Sequence, residues 1–428
     1  MNLLIKNASV IDLENREFIK RDVFVEGGRI SRISEKIDIK NVKVINARGK
    51  HLFPGFIDIH SHIREPGRQD KEDIISASHS AAKGGFTTIV TMPNTEIPLD
   101  TPEKIRAFME KCKIDSSINI LVCGALTRAR EGRQLCEYGL IMKEGVRMFS
   151  DDGDWLKDTG LMLLALNYIN SFGGTVMSHC EDKFLCWGPG RDDSASFSAG
   201  LLPSFEISES IAVLRDVELA NYLKAKIHLT HLSTSRSIEI VEEAKRRNRG
   251  ITCDTCPHYL LLDSEYLERY DTNFKVNPPL PKREDRLSLL RALTKGVIDC
   301  ISTDHAPHTQ EEKEHSFIDA LSGMIGFETL FGLCYKYLVE KGEIDLFSFI
   351  EKITVNPAQI LQLHQKGVIK EGFDADLVLI DLGEEFLYSA DEILSKSHNT
   401  PFLGWKLKGR VKATVCRGRV VYEERVSS

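Results

Sequence analysis

Residues 52–62 read LFPGFIDIHSH, an apolar run (Leu52–Ile59) that ends in His60-Ser61-His62. Short apolar runs of the same kind recur at Phe86–Met92, Ile118–Cys123, Val146–Phe149, Thr175–Met177, Ile227–Leu229, Ile251–Cys253 and Val297–Ile301. Helical patterns separate them. Eight strands alternating with helices predict an α/β chain whose parallel sheet closes into a (β/α)8 TIM-like barrel, here over residues 53–364. Within the intervening segments, Ile207, Ile211 and Leu214 fall at i, i+4 and i+7 and mark one face of a helix. Thr101-Pro102-Glu103 offers another helix its N-cap, a proline at the first helical position and an early acid.

The two ends read differently. Residues 1–52 and 365–428 carry short β-like pieces broken by glycine turns, such as Glu26-Gly27-Gly28-Arg29 and Cys416-Arg417-Gly418-Arg419. Neither end is long enough for a secure core of its own. They are expected to pair into one small composite β-domain beside the barrel.

Bulk properties narrow the function. The 428 residues suit one large barrel plus a smaller lobe. A formal net charge of -7 argues against nucleic acid as the main partner, because phosphate binding needs concentrated Lys and Arg. No apolar run approaches the roughly 18–20 residues that span a bilayer, so no membrane partner is expected. Met1–Val10 is apolar without a cleavage-site pattern and reads as a strand, not a signal peptide. The cysteines follow no repeating framework, which points to reduced thiols in a cytoplasm. Cys253 and Cys256 have C-x-x-C spacing, but no second such pair exists to complete a structural zinc site. The segment reads as a buried strand.

The chemistry gathers at the strand ends. Residues two apart on a strand share a face, so His60 and His62 can reach one metal ion. Active sites of such barrels lie at the C-terminal ends of the strands. The position recurs: His179 follows Thr175–Met177, His231 follows Ile227–Leu229, Asp304 follows Val297–Ile301, and Asp151 and Asp152 follow Val146–Phe149. Packing explains any one of these. It does not explain His or Asp at five strand ends. Neutral imidazole and carboxylate are good Zn²⁺ ligands, and a carboxylate can bridge two ions. Four His and two Asp point to metal-assisted hydrolysis, since zinc lowers the pKa of bound water from about 15.7 to about 7 and polarises the carbonyl under attack. A further group must carry a proton to the leaving nitrogen, and Asp304 is the candidate. Spacing alone leaves Asp151 and Asp152 as alternatives.

These residues resemble the amidohydrolase superfamily, most closely the dihydroorotases, over nearly the whole chain. Pro54–Gly67 (PGFIDIHSHIREPG) resembles the opening motif of that family and Met92-Pro93-Asn94-Thr95 its second. Asn277-Pro278-Pro279-Leu280 and Ser302–His308 (STDHAPH) resemble later ones. The resemblance implies that His60, His62, Asp152, His179 and His231 bind zinc, one ion or two, with Asp304 as both ligand and proton shuttle. It also implies that Arg64, Asn94, Asn277 and His308 hold dihydroorotate, with His62 close enough to touch it and Ser322-Gly323 offering main chain to the ring. Arg64 can pair bidentately with the substrate carboxylate, and a glycine at 323 lets the backbone approach closely. Many relatives carry a carboxylated lysine at the end of the fourth strand. Phe149-Ser150-Asp151-Asp152-Gly153 instead resembles a bacterial subgroup that uses aspartate, which favours Asp152. The implied reaction is the reversible hydrolysis of the cyclic amide of dihydroorotate to N-carbamoyl-aspartate, in pyrimidine biosynthesis.

Departures from the family pattern are few. Residues 186–204 lack part of the usual glycine-rich pattern, and Leu321 stands where proline is common. Thr309–Phe317 is polar and charged, and reads either as a lid over the site or as a solvated loop. His228 reads as a core residue, and His258 stands where it can line the site. Two other functions compete. A sister cyclic amidase, such as a hydantoinase or allantoinase, is disfavoured by Arg64, Asn94 and the missing lysine. A silent subunit that scaffolds aspartate transcarbamoylase should have lost metal ligands, and this chain keeps them. Two assemblies stay open: a homodimer, and association with aspartate transcarbamoylase.

Overall fold

Gly55 divides the opening apolar run in two. In the computed structural model, which describes residues 2–424, a side chain at Gly55 would meet Thr87 at 2.2 Å. On one side of it, His51–Pro54 pairs antiparallel with Leu377–Ile380 and parallel with Ser9-Val10. On the other, Phe56–Ser61 opens the barrel. Leu52 and Phe53 point opposite ways, as neighbours on a strand must. Leu52 enters the core of the small sheet and Phe53 the main core. One strand thus joins the two lobes.

The barrel strands are Phe56–Ser61, Phe86–Thr91, Asn119–Ala125, Met148–Ser150, Thr175–His179, Ile227–Thr230, Ile251–Thr255 and Cys300–Ile301, and they are neighbours in that order. Every adjacent pair is parallel. Each strand overlaps the run that predicted it, because strands covered on both faces read as continuous apolar segments. The main-chain bonds from Asp304 N to His60 O (3.1 Å) and from His62 N to His305 O (2.8 Å) join the eighth strand's end to the first. The closing seam therefore runs through candidate site residues.

Both chain ends build the second sheet, as expected. Leu3–Asp12, Glu17–Glu26, Arg29–Ser34, Lys43–Asn46 and His51–Pro54 join Leu377–Leu387, Lys406–Cys416 and Arg419–Glu423 around a core that includes Ile5, Val23, Ile30, Leu377 and Val415. Two of its hairpins turn on two residues with positive φ. Gly27 and Gly28 (+58° and +83°) lie between paired Glu26 and Arg29, and Arg417 and Gly418 (+50° and +72°) between Cys416 and Arg419. Such turns match the strand twist.

Three local findings refine the reading of the sequence. Thr101 caps Pro102–Asp115 as predicted, its side chain accepting from Lys104 N. The helix Glu206–Leu223 buries the small stripe Ala212, Val213, Val217 and Ala220 against the barrel, so the face marked by Ile207, Ile211 and Leu214 points outward and is 41–50% exposed. Cys253 and Cys256 are buried free thiols, and burial pushes the Cys253 thiol up to about 12. Among the described residues no helix is long and apolar enough to cross a membrane.

Candidate active site

The C-terminal ends of five barrel strands bring six donors together. His60 and His62 come from the end of the first strand, Asp152 from just beyond the fourth and His179 from the fifth. His231 follows the sixth and Asp304 the eighth. All six are buried. Asp152 is the centre: its Oδ1 lies 3.4 Å from His60 Nε2, 3.6 Å from His179 Nδ1 and 3.7 Å from His231 Nε2, and its Oδ2 lies 3.6 Å from His62 Nε2. Asp304 Oδ1 lies 3.0 Å from His62 Nε2 and 3.5 Å from His60 Nε2.

These spacings suit a cation. Donors held about 2.0–2.2 Å from one tetrahedral zinc lie roughly 3.3 Å from each other. His60 Nε2 and Asp152 Oδ1 are buried without a hydrogen-bond partner, a costly state that a shared cation relieves. Among the described residues three groups satisfy the geometry of a metal site: His60–Asp152–His231, His60–His62–Asp304 and, sharing Asp304, Cys256–His258–Asp304. Hydrogen bonding separates the two acids beyond the fourth strand. The Asp151 carboxylate turns away to accept from Leu126 N (2.9 Å), Thr127 N (3.0 Å) and the Thr127 hydroxyl, which leaves Asp152 to face the histidines.

The electrostatics agree. Burial alone would lower the His60 pKa, but the charges of Asp152 and Asp304 raise it to about 10. Burial also opposes protonation of His179, and its bonds to Asp152 and Glu181 raise it to about 9. Burial would push the Asp152 carboxyl up, yet His60, His179 and His231 hold it well below the usual carboxylate range. Negative charge is thus concentrated where a metal's positive charge answers it. The backbone pays part of the cost: His231 (φ +43°) and Asp304 (φ +46°) sit in the left-handed region, which side chains other than glycine rarely occupy outside over-determined sites.

The residues expected to hold substrate surround this cluster. Arg64 donates through Nε to Pro307 O at 3.1 Å and reaches within 3.4 Å of His308 Nε2. Among the described residues it forms no ion pair, whereas its neighbours Lys71 and Arg68 are matched by Glu312 at 2.7 and 3.0 Å. His308 Nε2 is 2.9 Å from Ser322 O, and burial together with the Arg64 and Lys71 charges keeps its ring neutral. Gly323 has φ +141°, and a Cβ there would lie 2.8 Å from Ala306 Cβ and 3.1 Å from His308 Cδ2. Asn94 joins the two groups, with Oδ1 2.9 Å from His62 Nδ1 and Nδ2 donating to Asp152 Oδ2 at 3.1 Å. Asn277 donates to Glu181 at 2.9 Å.

Other histidines fall where the sequence suggested. His228 is buried between Thr252 and Asp254. His258 is buried near Asp304 with Nε2 unpartnered, and burial lowers its pKa to about 4. The segment after His308 is more engaged than a solvated loop: Thr309 caps the short helix Gln310–Lys313, Glu312 meets His308, Lys71 and Arg68, and Lys313 is buried. Two acids at the site went unread in the sequence. Glu181 stands two residues beyond His179, and Asp254 directly follows the seventh apolar run, Ile251–Cys253. Both fit the strand-end pattern.

Comparison with known proteins follows the same lines. Residues 191–421 match the amidohydrolase family and residues 49–237 the dihydro-orotase-like family. A dihydroorotase of Acetivibrio thermocellus is 40% identical over 425 residues, covering 99% of this chain and 100% of that protein. The chain belongs to the dihydroorotase family. A dihydroorotase of Ruminiclostridium cellulolyticum is also 40% identical, over 427 residues and 100% of both chains. Among solved structures, an L-hydantoinase (dihydropyrimidinase) from Arthrobacter aurescens matches with a TM-score of 0.88 at 24% identity, covering 98% of this chain and 96% of that one. A dihydropyrimidinase from Brevibacillus agri matches with a TM-score of 0.85 at 23% identity, covering 99% and 95%. At such identity these two bear on the fold alone. Membership of the dihydroorotase family makes the chain a hydrolase, and its His/Asp groups suit a divalent metal.

Proposed function

We propose that this enzyme catalyses the reversible hydrolysis of dihydroorotate to N-carbamoyl-aspartate, with zinc as the metal. One observation carries the choice of substrate: Arg64, beside the six-donor cluster, is a guanidinium with no carboxylate partner among the described residues. A substrate bearing a carboxylate supplies that partner. Hydantoins and dihydropyrimidines without a carboxylate do not.

His60, His62, Asp152, His179, His231 and Asp304 would hold the metal. The two oxygens of Asp152 face different subsets of the histidines, so these residues would hold one ion or two. Zinc held there supplies a water activated at neutral pH and positive charge for the carbonyl oxygen. Asp304 accepts the proton of the attacking water. It returns that proton to the ring nitrogen as the C–N bond breaks, and ring closure runs the same transfers backwards. Arg64 and His308 orient the substrate carboxylate, Asn94 and His62 adjoin it, and Asn277 with the Ser322-Gly323 main chain flank the ring. A homodimer is part of the same proposal. Work in the cytoplasm beside aspartate transcarbamoylase accords with a place in pyrimidine synthesis.

The test is ring opening of dihydroorotate by the purified protein, with and without zinc, against hydantoin and dihydrouracil, with His60→Ala as control. Zinc-dependent turnover of dihydroorotate alone, lost in His60→Ala, is expected. Turnover of the uncharged rings instead would replace the assignment with a sister amidase. No turnover by folded, zinc-loaded protein would favour a partner-dependent subunit.

A further inference from the structure

Asp254 lies behind the metal-donor cluster at the end of the seventh barrel strand, with none of its surface exposed. Its carboxylate accepts four hydrogen bonds. Oδ1 takes His231 N at 2.7 Å and Ser302 Oγ at 2.9 Å, and Oδ2 takes His228 Nε2 at 2.8 Å and Thr230 Oγ1 at 3.0 Å. Four donors around one buried carboxyl group favour its ionised form. The Thr230 hydroxyl has a second neighbour, His60 Nδ1, at 2.6 Å.

The direction of each bond follows from proton count. An ionised carboxylate only accepts, and a hydroxyl has one proton to give. Thr230 donates that proton to Asp254, so toward His60 it presents a lone pair, and His60 Nδ1 carries the hydrogen. In the neutral ring that binds a metal, Nε2 is then the lone-pair nitrogen of His60. It is also the atom that faces Asp152 and Asp304 and has no hydrogen-bond partner. The same carboxylate holds the main-chain N–H of His231, whose φ of +43° needs an external restraint.

We infer that Asp254, acting through the Thr230 hydroxyl on His60 and directly on the His231 main chain, is a positioning residue that presets two metal donors from different strands. The inference rests on the proposed metal role of His60 and His231. Neither Asp254 nor Thr230 touches the substrate side of the cluster. Their effect is therefore on how tightly the donors grip a metal, and outer partners of this kind are worth about 10–100-fold in affinity.

Zinc affinity, measured by competition with a chromophoric chelator, tests this without reference to turnover. Thr230→Val keeps the shape and removes the hydroxyl, and Thr230→Ser restores it. Asp254→Asn removes the charge, and thermal melting of each zinc-free variant reports folding. Thr230→Val and Asp254→Asn are expected to weaken zinc binding about 10–100-fold, with Thr230→Ser within a few-fold of wild type. In zinc-loaded wild type, a ¹⁵N-labelled His60 ring should show its proton on Nδ1. Folded Thr230→Val and Asp254→Asn that both bind zinc like wild type, or a His60 proton on Nε2, would overturn the inference. His60→Ala separates the two levels: if that variant also binds zinc undiminished, the metal assignment itself has failed. If it loses zinc while folded Thr230→Val and Asp254→Asn do not, only the relay has.

Discussion

Oε2 of Glu181 lies 3.3 Å from Nε2 of His179, on the edge of the ring away from Asp152, which faces Nδ1 at 3.6 Å. A carboxylate behind a metal-facing imidazole fixes the ring and raises its basicity. Glu181 also accepts from Asn277 Nδ2 at 2.9 Å. Burial opposes its ionisation, but the bonds from His179 and Asn277 bring the carboxyl down to about 2. Under the proposed roles, Glu181 therefore couples a metal donor, His179, to a substrate-side residue, Asn277. Glu181→Gln should weaken metal binding about 10–100-fold and raise KM through a looser Asn277. Chelator competition and steady-state kinetics on the zinc-saturated variant read the two effects separately. Unchanged zinc affinity would remove Glu181 from the metal site.

Arg64 offers a cleaner separation of binding from folding. Among the described residues it has no ion pair to lose, so truncating it strands no carboxylate there. Arg64→Met should lower kcat/KM for dihydroorotate by about 10–150-fold, the equivalent of a charged hydrogen bond worth about 1.5–3 kcal/mol, with little change in melting temperature. Arg64→Lys should recover part of that loss, because an ammonium supplies the charge but not the planar fork. Equal kinetics for wild type and Arg64→Met would mean that the substrate carboxylate binds elsewhere.

The barrel was legible because its strands are buried on both faces and read as unbroken apolar runs. The donors were legible because strand ends repeat His or Asp. Where the reading stopped, the deciding contact lay far away in sequence. Asp151 and Asp152 are neighbours in a turn, and which carboxylate faces inward is set by Thr127, 24 residues earlier. Two apolar stripes compete on Glu206–Leu223, and the barrel takes the smaller side chains, which allow close approach, leaving Ile207, Ile211 and Leu214 outside. Periodicity alone cannot rank two stripes. Glu181 and Asp254 were within reach. Each stands at a strand end, by the same logic that singled out His179 and Asp304. The inward turn of Glu312 and Lys313 was not, since a run of charges reads as solvated until its partners at Lys71, Leu321 and Gly323 are known.

Asp304 is assigned the proton transfer, and its removal should be felt in kcat above all. Its carboxyl is buried, which alone would raise its pKa, yet His62 and His60 hold it below the usual carboxylate range. Ionised at neutral pH, it is ready to accept a proton. Asp304→Asn keeps the size and an acceptor oxygen but cannot shuttle. A fall of about 10²–10⁴-fold in kcat is expected, in ring opening and closure alike, with KM for dihydroorotate changed far less. Metal analysis of the same sample guards against loss of zinc as the cause. Near-normal kcat with full zinc content would transfer the shuttle role to another group.

Lys313 gives a prediction that needs no substrate. Its side chain is buried and donates to Leu321 O at 2.8 Å and Gly323 O at 3.2 Å, with no ion-pair partner among the described residues. Burial, reinforced by the charge of Lys275, lowers its pKa from 10.5 to about 7. Between those values the unfolded chain keeps a proton that the folded chain has released, so unfolding takes up a proton. Stability then rises with pH across the window, with a slope of at most about 1.4 kcal/mol per pH unit. Below pH 7 both states are charged and the full burial cost remains. Lys313→Met removes this linkage along with the two hydrogen bonds. Denaturant unfolding at pH 7 and pH 9 should therefore show wild type gaining on the variant by up to about 2.7 kcal/mol. A gap that stays constant between the two pH values would mean that Lys313 remains protonated in the folded protein and that its two carbonyl bonds stabilise the charge against burial.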